Sequence, residues 1–138
     1  MSAEPKVGIV LVSHSAALAT GTAELAGQIG GGTVPIAAAG GTDDGGIGTS
    51  LAKIQRAIKL ADEGAGVVIL PDLGSSVLTV RALLADPASL AEPLPEPLAM
   101  ADAPFVEGAV AATVTAAAGG DIKAVLSAAE EARHARKL

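Results

Sequence analysis

Val7–Val12 is apolar at every position and rich in β-branched side chains. Apolar runs without alternation suit strands buried on both faces, as in a parallel sheet. Three later stretches carry the same signature more briefly: Thr33–Ala38, Gly66–Leu70 and Leu98–Ala101. Between them the pattern changes to helical spacing. Ala16–Ile29 reads as a first helix, with Leu18, Leu25 and Ile29 on one face, ended by Gly30-Gly31-Gly32. A second helix is expected over about Ile47–Asp62, burying Leu51, Ile54 and Ile58, and closed by Gly64. A third covers about Val77–Leu84, with Ser75 or Ser76 as a natural N-cap. A fourth spans about Val106–Ala117. Asp121 caps a last helix, about 121–136, on which Ile122, Val125, Leu126 and Ala129 recur at i, i+3, i+4 and i+7; its basic end, Arg133, Arg136 and Lys137, complements the helix dipole.

The segments in between read as loops. Gly40–Gly46 is too glycine-dense for a regular element, and Asp86–Pro97 holds four prolines. Met1–Pro5 reads as a frayed end. Strands alternating with helices imply βαβ units and right-handed crossovers. The expected fold is α/β: a doubly wound, mainly parallel four-stranded sheet, order 2-1-3-4, with helices on both faces. The 138 residues suit a single domain, 1–138, with a core over about 6–120. No repeat or linker interrupts it.

Composition narrows the function classes. Half the residues are hydrophobic, yet there is one Phe and no Trp or Tyr, so Ala, Val, Leu and Ile must build the core. A net charge of −6 disfavours nucleic acid, which needs a basic face, and the shortage of aromatics removes base-stacking platforms. Without cysteine there is no disulfide framework, thiol nucleophile or Cys-based zinc site. No apolar run reaches the roughly 18 residues of a membrane span. Lys6 before Val7–Val12 imitates a signal peptide, but its apolar part falls short of the usual h-region of about 7–15 residues. A soluble, cytoplasmic protein is expected.

Chemistry concentrates where strands end. Ligands of open α/β sheets sit beyond the carboxyl ends of the strands. The first strand ends at Ser13-His14-Ser15 and the third at Pro71-Asp72. His14 there can act as a nucleophile through one ring nitrogen, with a carboxylate, Asp72, holding the other. A histidine hydrogen-bonded in a structural turn is the competing reading. Helix N-terminal amides beside Ser15 favour anions, and Gly40, Gly41 and their loop can offer N–H groups to phosphate. That loop has neither the P-loop lysine nor a GxGxxG spacing. Asp43 and Asp44 read as a solvated turn rather than a metal site. Ser75 as a hydrolase nucleophile lacks the Gly-x-Ser-x-Gly elbow. His134, among charges, reads as a solvated helix end.

Five motifs occur in order: Val-Ser-His-Ser at 12–15, Gly-Gly-Thr-Asp-Asp-Gly at 40–45, Ile-Gly-Thr-Ser at 47–50, Asp-Leu-Gly-Ser at 72–75 and Ala-Pro-Phe-Val-Glu-Gly-Ala at 103–109. The set, over about Lys6–Ala132, resembles the mannose-type enzyme IIA domains of the sugar phosphotransferase system. Within them it is similar to the DhaM family, the phosphotransferase subunits of phosphoenolpyruvate-dependent dihydroxyacetone kinase. The segment from Ala103 favours that branch over the sugar-transport branch. The resemblance implies a phosphorelay. His14 would take a phosphoryl group from the phosphocarrier protein HPr and pass it to ADP on the nucleotide-binding kinase subunit. Asp72 would orient His14, with Thr42 and Ser75 as phosphate-site donors. No cofactor would sit on this subunit, the ADP/ATP being the partner's, and no metal is implied. Relatives are commonly homodimers, and some carry phosphocarrier-like domains; this chain is too short for those, so its donor would be a separate protein. The alternatives are the IIA component of a mannose-type transporter and a non-catalytic, anion-binding flavodoxin-like module.

Overall fold

The computed structural model describes residues 4–87, 90 and 92–138. Four strands, β1 (Gly8–Ser13), β2 (Ile36–Gly40), β3 (Val67–Pro71) and β4 (Leu98–Met100), alternate with five helices: α1 (Ala16–Ile29), α2 (Leu51–Ala61), α3 (Gly74–Ala85), α4 (Phe105–Ala117) and α5 (Ile122–Glu131). A 3-10 turn, Ala132–His134, ends the last helix. The strands form one sheet in the order β2-β1-β3-β4, and every pairing is parallel. This is the expected doubly wound arrangement. The expected frayed end falls partly outside the described residues, as do 88, 89 and 91 of the proline-rich stretch.

The sheet explains the unbroken apolar run. Successive side chains point to opposite faces, so Ile9 and Leu11 enter one core with Val68 and Leu70. Val10 and Val12 enter the other with Val67 and Ile69. The first core is closed by α1, α4 and α5 through Ala26, Ala109, Ala112, Ala116, Val125 and Ala129. The second is closed by α2 and α3 through Ile54, Ala57, Ile58, Val80 and Leu83. Both sheet faces are thus dry, as the pattern requires.

Several boundaries differ from expectation, each for a physical reason. β2 runs later than Thr33–Ala38, because its register on β1 pairs Ser13 with Gly40. Gly40 ends it against the start of α1: a Cβ there would lie 2.6 Å from the Ser15 carbonyl oxygen. α2 starts at Leu51, not Ile47, since Gly48 has φ +145° and cannot be helical. Ser50 is the cap, accepting the Lys53 N–H at 3.2 Å. Leu51 is therefore exposed while Ile54 and Ile58 are buried. α3 starts earlier than Val77; its cap is Leu73, with no side-chain bond, and Ser75 and Ser76 lie in the first turn. α5 is shorter than expected, though Arg133 does donate to the Glu130 carbonyl at 2.9 Å. On α1 the stripe of Leu18, Leu25 and Ile29 faces outward, while Ala19, Thr22 and Ala26 are buried. Small residues let α1 lie close to the sheet and α4, which larger side chains would prevent.

Two glycines test this packing. A Cβ on Gly8 would sit 2.0 Å from the carbonyl oxygen of Ala61 at the end of α2. Gly8→Ala is expected to lower the urea-unfolding free energy by about 1–3 kcal/mol. Gly21, inside α1, has no atom within 4 Å of its would-be Cβ. Gly21→Ala is expected to raise stability by about 0.5–1 kcal/mol.

Candidate active site

The parallel sheet brings the ends of β1 and β3 side by side, with Val12 paired to Pro71. One residue beyond each strand stand His14 and Asp72. Their side chains meet: His14 Nδ1 lies 2.9 Å from Asp72 Oδ1. The imidazole is 20% exposed and the carboxylate 6%. His14 faces outward from a nearly buried acid.

Asp72 collects donors from both strand ends and from α3. Oδ2 accepts the Ser13 hydroxyl at 2.9 Å and the His14 backbone N–H at 3.1 Å. Oδ1 accepts the Leu73 N–H and the Ser76 hydroxyl, both at 2.7 Å, besides the His14 ring. Burial alone would raise its pKa, but the bonds from Ser76, the His14 amide, Ser13 and Leu73 prevail and hold the carboxyl down at about 2. At neutral pH the acid is an anion and accepts only. Nδ1 of a neutral His14 must then carry the proton, which leaves the Nε2 lone pair free. That lone pair receives the Ser75 hydroxyl in a hydrogen bond.

Ser13 and Ser76 are fully buried, and neither was singled out from sequence as a site residue. Ser76 also stands 3.2 Å from His14 Nδ1, so its hydroxyl spans acid and imidazole. Its spacing four residues after Asp72 was the available signal, since residues one helical turn apart share a face. Ser15 instead caps α1, accepting the Leu18 N–H at 3.2 Å.

The glycine loop serves the backbone of His14. Gly41 donates to the Ser13 carbonyl at 3.1 Å and Gly48 to the His14 carbonyl at 3.0 Å. Thr42 N–H is bonded to the Gly46 carbonyl at 3.0 Å, and its hydroxyl bonds Asp44. Gly46 N–H returns to Thr42 Oγ1 at 2.9 Å. Asp43 bonds Ser50. Of the sequence candidates, His14, Asp72 and Ser75 are joined directly. The Gly41 N–H is engaged by the Ser13 carbonyl of β1, and the donors of Thr42 are engaged inside the loop. His134 is exposed in the 3-10 turn, whose neighbouring Arg133 pairs with Asp102 just past β4. Among the described residues no group of three His, Cys, Asp or Glu side chains is placed to hold a metal ion. No described helix is long and apolar enough to cross a membrane.

Similar known proteins identify the lineage. Residues 8–126 match the EIIA-man family, described as the fructose IIA component of the phosphotransferase system. The chain belongs to the EIIA-man family. A Listeria innocua relative, PEP-dependent dihydroxyacetone kinase 2, phosphoryl donor subunit DhaM, is 35% identical over 87% of this chain and 94% of its own length. The DhaM phosphoryl donor subunit of Pantoea ananatis is 39% identical over 95% of this chain. The chain spans only 28% of that longer protein, and the same share of the Escherichia coli DhaM, to which it is 37% identical. The crystal structure of EF1359, a protein of unknown function, superposes with a TM-score of 0.77 at 35% identity, over 91% of this chain and 94% of its own.

The state of Asp72 makes stability pH-dependent. Its pKa falls from 3.8 to about 2 on folding, so its contribution is complete above about pH 4 and lost as pH drops toward 2. The shift corresponds to on the order of 2 kcal/mol. The urea-unfolding gap between wild type and Asp72→Asn is expected to narrow as pH falls from about 5 to about 2. A constant gap would show that the acid is not held ionised.

Proposed function

We propose that this chain is a phosphoryl donor domain of a phosphoenolpyruvate-dependent dihydroxyacetone kinase, with His14 Nε2 as the phosphoryl carrier. One observation carries the reading: Asp72 takes Nδ1 and leaves the Nε2 lone pair, met by the Ser75 hydroxyl, as the nucleophilic atom at the exposed edge of the ring. The relatives' names supply the reaction class; the donor, HPr, and the acceptor, ADP on the nucleotide-binding subunit, come from the family resemblance.

In the accepting step the Nε2 lone pair attacks phosphorus in line. The nitrogen–phosphorus bond to the donor histidine breaks as the new one forms, and the donor ring leaves with the electron pair. Positive charge grows on His14 and is met by the Asp72 anion through Nδ1–H. Phosphoryl transfer asks mainly for such positioning and charge stabilisation. Ser75 turns its hydroxyl from Nε2 to a phosphoryl oxygen. The first-turn amides of α1 and α3 that their caps do not take can face the same anion. In the donating step the β-phosphate oxygen of ADP attacks, and the bond to Nε2 breaks. This chemistry requires no cofactor held on the chain itself. A homodimer in the cytoplasm is part of the same proposal.

Incubation with phosphoenolpyruvate, enzyme I and HPr should add one phosphoryl mass to the wild type and to His134→Ala, and none to His14→Ala. The adduct should be acid-labile, because protonation makes the phosphoramidate nitrogen a good leaving group. Uptake retained in His14→Ala, or an acid-stable adduct, would refute the assignment. Asp72→Asn should slow uptake and donation by on the order of 10²–10⁴. Asp43→Asn, on the glycine loop, should cost much less.

A further inference from the structure

The contact between Ser75 and His14 has a chemistry that phosphoryl transfer does not use. Ser75 donates to His14 Nε2, and Nδ1 lies 2.9 Å from Asp72 Oδ1. Hydroxyl, imidazole and carboxylate thus stand in the order that activates serine in hydrolases on unrelated folds. The tautomer is the one this order needs. Asp72, ionised and filled with donors, keeps the proton on Nδ1 and turns the basic nitrogen to Ser75. The Gly-x-Ser-x-Gly elbow is absent, but its purpose is met otherwise. Ser75 is the second residue of α3, exposed on the first turn of a twelve-residue helix. The Ser76 amide of that turn bonds the Leu73 carbonyl, while those of Gly74 and Ser75, ahead of it, can face an oxyanion. Leu73 and Leu78, two residues before and three after Ser75, are both exposed and offer apolar surface to a short acyl chain.

We propose that Ser75 is a second nucleophile, activated by His14 and Asp72, which gives the chain an esterase activity toward short-chain activated esters. Ser75 Oγ attacks the carbonyl carbon and its proton passes to Nε2. The bond to the leaving oxygen breaks, and that oxygen takes the proton from Nε2. Water then gives its proton to Nε2 and its hydroxyl to the acyl carbon; Ser75 departs and is reprotonated by His14. The proposal does not depend on the phosphorelay, because no phosphoryl donor takes part.

The test uses the full chain with no phosphoryl donor present. Phenylmethanesulfonyl fluoride should add one sulfonyl group, with loss of fluoride, and peptide mapping should place it on Ser75. Release of p-nitrophenol from p-nitrophenyl acetate should fall by on the order of 10² or more in Ser75→Ala and in His14→Ala. His134→Ala should match the wild type. Sulfonylation at another residue, or none at all, overturns the proposal. So does unchanged hydrolysis in Ser75→Ala, since His14 alone would then be the nucleophile. The adduct map on wild-type protein decides the matter even if a variant folds poorly.

Discussion

A buried anion holds this site together. Asp72 is nearly sealed from water, and an unpaired carboxylate there would be strongly destabilising. It stays ionised because donors surround it: two hydroxyls, two backbone amides and the imidazole. Those donors come from the end of β1, from the β3–α3 turn and from the first turn of α3. Losing any one leaves a buried acceptor short of a partner, which costs more than the bond itself contributes. The position of His14 is therefore a consequence of satisfying Asp72.

The frame around that anion is stiff for simple reasons. Parallel pairing of β1 with β2 and β3 fixes the strand ends in register. Two cores, made of small and branched aliphatics, grip the sheet from both sides. The glycine loop then pins the backbone at Ser13 and His14 from the side of β2, and Asp72 pins it from the side of β3. Only the ring edge carrying Nε2 is left to face a partner.

Nε2 has one lone pair and two proposed uses for it. In the proposed relay it would engage phosphorus and make the chain a carrier; in the proposed hydrolysis it would engage the Ser75 proton and make the serine nucleophilic. The two uses exclude one another, because a phosphorylated Nε2 cannot accept a proton. Both depend on the same carboxylate holding Nδ1.

Much of this was legible in the residues alone. Continuous apolar runs separated by helical spacing dictated a parallel α/β sheet, since only two-sided burial tolerates Val7–Val12. A histidine and an aspartate just past two such runs had to share an edge once strands one and three were neighbours. Ordered motifs marked the family. Tertiary structure decided what periodicity cannot: which face of a helix is buried and which donors a polar atom finds. Leu18, Leu25 and Ile29 are spaced as a face, yet they point outward because the small residues Ala19, Thr22 and Ala26 let α1 approach the sheet and α4. Ser75 and Ser76 look like caps, but one turns to His14 and the other to Asp72. The glycine loop looks like a phosphate cradle, but the amides of Gly41, Thr42 and Gly48 close on carbonyls of the chain itself. Hydrogen-bond partners more than fifty residues apart in sequence meet only when the sheet places them, and no local pattern encodes that meeting.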